Sequence, residues 1–209
     1  NAVKKILKKG NLSTLNCPEE VSLAEKLTKL HPWSEMVRFA RTGGEANSIA
    51  IRIARASTKK QNVAFCGYHG WHDWYLSSNL NKKNKIQGFK TKGVPNVLKN
   101  TSFPFEYGDI KGLKNLIKSK NIGIIKMEFC RNTEPDIKFL KAVKSLANKR
   151  KLILVFDECT SGFRENFGGL HMKYGIFPDM AIFGKALGNG YAITAVIFKK
   201  KIMKNTKDT

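Results

Sequence analysis

Two residues of opposite charge carry the most chemical information in this chain. Lys185 stands in PDMAIFGKALGNGYAITA, after a short apolar run and ahead of a glycine-rich turn. Asp157 stands 28 residues earlier, closing the apolar run of LILVFDECTSGFR. The flanks Ile182-Phe183-Gly184 and Ala186-Leu187-Gly188 are expected to desolvate the lysine and lower its pKa, leaving a free amine to meet a carbonyl. The GNG turn that follows lets backbone approach closely without a side-chain clash. A carboxylate buried at a strand end can hold a protonated pyridine nitrogen, and Asp157 is better placed for the interior than its neighbour Glu158. An amine for an aldehyde and an acid for a ring nitrogen are the minimum that pyridoxal 5'-phosphate requires of a protein. The plainer alternatives are a solvated turn lysine and a strand end carrying two surface acids.

Other residues could complete such a site. Gly43 and Gly44 fall between a strand and a helix, where backbone amides and the helix dipole suit a phosphate, although an ordinary glycine turn reads the same way. Tyr68 and His69, in GYHGWHDW, could lay an aromatic face on a cofactor ring. His69, His72 and Asp73 could instead ligate a metal, but HxxH is too loose a spacing to specify one and no third histidine lies nearby. No metal is expected. Trp71 and Trp74 read as packing or interface residues.

Composition sets the bounds. With 209 residues, 42% of them hydrophobic, the chain can bury the core of one large domain. No apolar run approaches the 18 or so residues of a membrane span, and the basic N-terminal stretch is too short in apolar residues for a secretory signal. Four widely spaced cysteines without a CxxC pair suit reduced thiols and a cytoplasmic location. The net charge of +22 raises the possibility of a polyanion-binding surface. The excess is mostly lysine, is spread along the chain and comes with many Asn and Ile, so biased residue usage explains it, and nucleic-acid binding is not expected.

The elements needed to position these residues are legible. Helical spacing occurs in 18–31, 45–58, 109–120 and 134–150, the last with Pro135 in its first turn. Strands are expected at 36–40, 61–67, 122–129, 151–158, 179–184 and 191–198, and 79–96 reads as a mobile surface loop. The continuous apolar run of 151–158 suits a strand covered on both faces. Strands alternating with helices imply an α/β fold, a three-layer αβα sandwich on a mainly parallel sheet. Thr42 to Gly44, Tyr68, His69, Glu128, Asp157 and Lys185 then all follow strands, where ligands of such folds gather.

The strings EMVRFARTGGEANSIAIRIARA, YHGWHDWYL, VFDECTSGFR and PDMAIFGKALGNGYAITAV resemble, in order, the large domain of class III, fold-type I pyridoxal-phosphate aminotransferases, and most of all the glutamate-1-semialdehyde 2,1-aminomutase-like branch. The resemblance implies amino-group transfer between a small-molecule donor and a carbonyl acceptor. It implies that Lys185 joins the cofactor aldehyde as a Schiff base and that Asp157 pairs with the ring nitrogen. Thr42, Gly43 and Gly44 look like the phosphate turn, Tyr68 like the stacking aromatic with His69 beside it, and Glu128 like the acid near cofactor and substrate. Two departures are local: the usual Glu-Pro is Glu128-Phe129, and Thr-Gly-Gly replaces the common Ser-Gly-Thr. Family members are roughly twice as long, so the resemblance makes residues 1–209 a truncated cofactor-binding large domain, without the N-terminal segment and the C-terminal small domain. It also implies a homodimer in which a neighbouring subunit's threonine reaches the phosphate. A basic polyanion-binding protein and an inactive fragment of the same fold are the alternatives.

Overall fold

A computed structural model describes residues 2–10, 17–80 and 86–204. Short α1 (Ala2–Leu7) buries no residue. The rest is built on seven strands: β1 (Met36–Ala40), β2 (Asn62–Cys66), β3 (Ser102–Pro104), β4 (Ile122–Glu128), β5 (Ile153–Glu158), β6 (Met180–Phe183) and β7 (Thr194–Phe198). Their order in the sheet is β1-β7-β6-β5-β4-β2-β3. Only β7 runs against the others, so the carboxyl ends of β1, β2, β4, β5 and β6 share one edge with the start of β7.

Helices cover both faces. α3 (Gly43–Thr58), α4 (Asp73–Leu76) and α8 (Lys200–Met203) pack Ala46, Ala50, Trp74 and Ile202 on one side against Ile153, Val155 and Ile182. α5 (Ile110–Ser119), α6 (Ile137–Arg150) and α7 (Leu170–Lys173) cover Ile125, Met127, Leu154 and Phe156 on the other. α2 (Pro18–Leu30) lays Leu27 and Leu23 over Ala181, Phe183, Ala195 and Ile197. The three-layer αβα sandwich on a mainly parallel sheet is therefore present. Every residue of β4 and β5 is buried, as two-sided cover requires.

Some boundaries differ from the sequence reading for clear reasons. The helix expected at 134–150 starts at Ile137, because Asp136 caps it by accepting from Phe139 N–H at 2.9 Å, so Pro135 lies outside the first turn. Asp136→Ala should therefore cost about 0.5–2 kcal/mol of stability, read as a lowered midpoint in urea. The helix expected from residue 45 starts two residues earlier, so Gly43 and Gly44 are its first turn rather than a turn before it. Short β3 falls beyond the pattern, within a stretch whose alternation is interrupted by Pro104. Within the polar stretch 79–96, residues 81–85 lie outside the described residues, while Asn79 ties the stretch down by donating to Ile86 O and Phe89 O, both at 2.9 Å. Among the described residues, no helix is long and apolar enough to cross a membrane and no cluster of His, Cys, Asp and Glu could hold a metal ion.

Candidate active site

The shared carboxyl edge gathers the candidate residues. Asp157, the last residue but one of β5, lies on the α3 side of the sheet, continuing the alternation of Ile153 and Val155, and is 4% exposed. Its Oδ2 accepts from His69 Nδ1 at 2.8 Å and its Oδ1 from Cys159 N–H at 3.1 Å. The Lys126 ammonium lies 3.6 Å from the same Oδ2. Burial alone would raise the Asp157 pKa, but Lys126, the His69 hydrogen bond and the Cys159 amide outweigh it and hold the carboxyl well below the usual carboxylate range. The group is an anion in the interior of the protein.

His69 is more than a neighbour of a stacking ring. It is fully buried, and burial together with the Lys126 charge pushes it down to about 4, so the ring is neutral and Nδ1 donates. Glu158 is also buried rather than on the surface: it accepts from Leu170 N–H, His171 N–H, His171 Nδ1 and Ser161 Oγ. That fourfold anchoring, on the face away from Asp157, makes Glu158 part of the frame.

Lys185 follows Gly184 past the end of β6. It lies three residues beyond Ile182, the cross-strand partner of Asp157. For strands ~4.8 Å apart rising ~3.3 Å per residue, the Asp157 and Lys185 α-carbons are about 11 Å apart at most, within reach of one small ring held between their side chains. The amine donates to Thr160 Oγ1 at 2.7 Å, three residues past Asp157. The desolvation expected of its flanks is not found. Ile182 and Phe183 are buried inside the sheet, whereas Lys185 is exposed beyond its edge, with a left-handed backbone at φ 45°.

Gly43 and Gly44 open the 16-residue α3, whose N-cap is Thr42 in a reciprocal capping box with Glu45. Glu45 takes the N–H groups of Arg41 and Thr42, which leaves those of the two glycines as the helix's free donors toward an anion. A Cβ at Gly43 would stand 3.5 Å from Cys159 Sγ, so this turn lies against the segment that follows Asp157. Thr194 Oγ1 donates to Thr42 O at 3.2 Å, fixing the turn to β7. A Cβ at Gly44 would come within 2.8 Å of the His72 ring, itself 2.9 Å from Ser48 Oγ. Gly44→Val should therefore collide with the His72 ring, displace the start of α3 and weaken the binding of any anion at this turn at least ~10-fold, equivalent to about 1.4 kcal/mol, while the far-ultraviolet circular dichroism stays unchanged.

Glu128 closes β4, and its Oε2 accepts from Tyr68 N–H at 3.0 Å and from Arg131 Nη1 at 3.3 Å. Burial raises its pKa even against these two donors. The Arg131 guanidinium also lies over the Tyr68 ring, 5.3 Å from the centroid, and the ring is half-exposed and stacked on Phe89. Trp74 is buried in the α3-side core, whereas Trp71 is 69% exposed. Burial pushes the Cys66 thiol up to about 12 and the Cys159 thiol higher still, so neither is a nucleophile at neutral pH.

The edge therefore brings together Thr42, Gly43, Gly44, His69, Asp157 and Lys185, with Tyr68 and Glu128 adjoining. Sequence reasoning passed over Lys126, Arg131, Cys159 and Thr160. A lysine inside the apolar run IGIIKMEF was a usable signal. The other three became visible only through what they touch.

A buried acid, an edge lysine and a glycine-started helix thus meet at one rim of an α/β sheet. The chain belongs to the class-III aminotransferase family, whose model matches residues 1–208. It is 35% identical over 99% of its length to 3-aminobutyryl-CoA aminotransferase of Cloacimonas acidaminovorans, covering 49% of that protein. It is 38% identical over 97% of its length to glutamate-1-semialdehyde 2,1-aminomutase of Nitrosopumilus maritimus, covering 50% of it. The solved ω-transaminase of Sphaerobacter thermophilus superposes with a TM-score of 0.85 at 28% identity, over 97% of this chain and 49% of that one. The chain spans about half the length of the curated relatives it matches.

Proposed function

We propose that residues 1–209 form the pyridoxal-phosphate-binding large domain of an enzyme that transfers amino groups, as an aminotransferase or a glutamate-1-semialdehyde 2,1-aminomutase. The observation that carries this reading is the buried Asp157 anion facing the edge beside Lys185, whose amine is already drawn to Thr160. The site fits the cofactor: an anion for the ring nitrogen, an amine for the aldehyde, and free glycine N–H groups at α3 for the phosphate.

When bound, the cofactor supplies an electron sink for the carbanion left by removing a proton from the substrate carbon. The chain's own residues do the rest. Lys185 Nζ would be the amine that holds the cofactor's aldehyde end and, at the same rim, a group able to carry a proton to and from the substrate carbon. Asp157 would hold the proton of the ring nitrogen, and His69 fixes the carboxylate's orientation. Gly43 and Gly44 would donate N–H groups to the phosphate, with Thr42 holding their turn. Tyr68 would cover one ring face. Glu128 anchors the Tyr68 backbone and Arg131 at the substrate side.

As the relatives' activities suggest, the donor is a small amino compound and the acceptor a carbonyl. A homodimer in the cytoplasm is the assembly and location that suit the family and the four free cysteines. Titration of the full-length polypeptide with pyridoxal 5'-phosphate tests the reading. One cofactor per chain should bind with a visible absorbance band, and an amino donor should then convert it to the near-ultraviolet amine form. Salt-dependent DNA binding without any such band would support a polyanion-binding protein instead.

A further inference from the structure

The middle of a buried strand is a costly place for an ammonium. Lys126 sits between Ile125 and Met127 in β4, has no exposed surface, and its Nζ finds no hydrogen-bond partner among the described residues. Replacing a buried charge of this kind by an apolar side chain of similar volume is commonly neutral or stabilising. Stability therefore does not account for a lysine here, and its surroundings suggest what does. Its cross-strand partners are Phe65 and Val155, both in the core on the α3 side, and its one close charge is Asp157 Oδ2 at 3.6 Å. Burial lowers the Lys126 pKa and the Asp157 charge opposes that fall; the titratable groups around this pair are His69, Glu128 and Cys159.

We propose that Lys126 is a positioning residue for the cofactor's ring nitrogen: it holds Asp157 Oδ2 from the core side, leaves Oδ1 to meet the ring, and shares the carboxylate with the ring nitrogen. This rests on the functional reading above. The two carboxylate oxygens have unequal partners. Oδ2 is taken by His69 and Lys126, whereas Oδ1 accepts only the Cys159 N–H and retains a lone pair for a ring N–H. His69 has an acceptor at each nitrogen, Asp157 Oδ2 at 2.8 Å and Cys66 O at 3.1 Å. A doubly protonated ring would satisfy both. Burial and the Lys126 charge are what keep the second proton away. Lys126 thus sets how much positive charge Asp157 already faces when a protonated ring nitrogen arrives, and so tunes how firmly that nitrogen keeps its proton.

Lys126→Met, which preserves length and volume, tests this in the full-length protein by two readouts. In the cofactor-free protein, the His69 imidazole should titrate roughly 1–3 pH units higher than in the wild type by nuclear magnetic resonance, the size expected on removing a nearby charge. At pH 8, the ring-nitrogen resonance of bound, ¹⁵N-labelled pyridoxal phosphate should move toward its protonated value. An unchanged His69 titration in a folded variant overturns the proposal. So does a moved titration with an unmoved ring-nitrogen resonance, which would leave Lys126 a structural counter-ion only. If Met at 126 disrupts folding, Lys126→Gln replaces it, with the same expected directions. Failure of the wild type to bind cofactor would sink the functional reading by itself, while the His69 titration, which needs no cofactor, still decides whether Lys126 sets the charge of the pair.

Discussion

Lys185→Ala is expected to abolish the cofactor's visible absorbance band, near roughly 410–430 nm for a lysine-bound pyridoxal, while pyridoxal phosphate still binds non-covalently. Amino transfer should fall by at least about 10²–10⁴-fold, the usual contribution of a positioned proton carrier. The fold should be untouched, because among the described residues the amine's hydrogen bond is to the Thr160 hydroxyl, beyond the sheet edge. A lysine at φ 45° is a strained choice, costing about 1–3 kcal/mol at a left-handed position. Lys185→Gly should relieve part of that and unfold at a slightly higher temperature, although it is as inactive as the alanine variant. Stability gained together with activity lost is the mark of a residue kept for chemistry. Equal absorbance in wild type and Lys185→Ala would refute the assigned role.

Asp157→Asn is the second substitution with a large expected effect, and it acts on two properties. Removing the anion leaves the Lys126 ammonium buried without a counter-charge, a change that typically costs about 3–5 kcal/mol. Adding Lys126→Met should recover most of that stability, because no uncompensated charge then remains. Cofactor affinity should fall about 30-fold or more, corresponding to ~2 kcal/mol at the lower end for losing one partner of a buried hydrogen-bonded charge pair. The rescue should not restore it, since neither variant offers the ring nitrogen a carboxylate. The acid limb carries a third sign. The Asp157 pKa is depressed in the folded state, so its stabilisation is complete above the ordinary carboxylate pKa and is lost as pH falls through the lower folded value. Asp157→Asn should remove that part of the acid sensitivity, visible as a flatter dependence of the unfolding midpoint on pH below about 4.

Much of this arrangement is legible in the sequence because it depends on local signals. Asp157 and Lys185 each close an apolar run, and a buried strand in a two-sided sheet writes its burial directly into its residues. The α3 start was read at Glu45, after a Thr42-Gly43-Gly44 turn, and the capping box moved that boundary back to Gly43. What stayed hidden depends on contacts between distant segments. His69 was read as an aromatic companion of Tyr68, and its bond to Asp157, 88 residues away, cannot be seen from spacing. The burial of Glu158 likewise arises from the α7 amides and His171 folding back over it. The exposure of Lys185 was misjudged because apolar neighbours in sequence lie inside the sheet while the lysine lies beyond its rim. Lys126 was available to a sequence reader as a lone charge in an apolar strand, but its meaning required knowing that Asp157 stands on the adjacent strand.

The account rests on one amine, among the many lysines of a strongly basic chain, being the one that meets the cofactor aldehyde. Reducing the pyridoxal-phosphate-loaded, full-length protein with borohydride and mapping the modified peptides tests this most directly. One stable pyridoxyl label per chain is expected, carried on Lys185 and lost in Lys185→Ala. Label distributed over surface lysines, or fixed at another lysine while Lys185 stays unmodified, would contradict it.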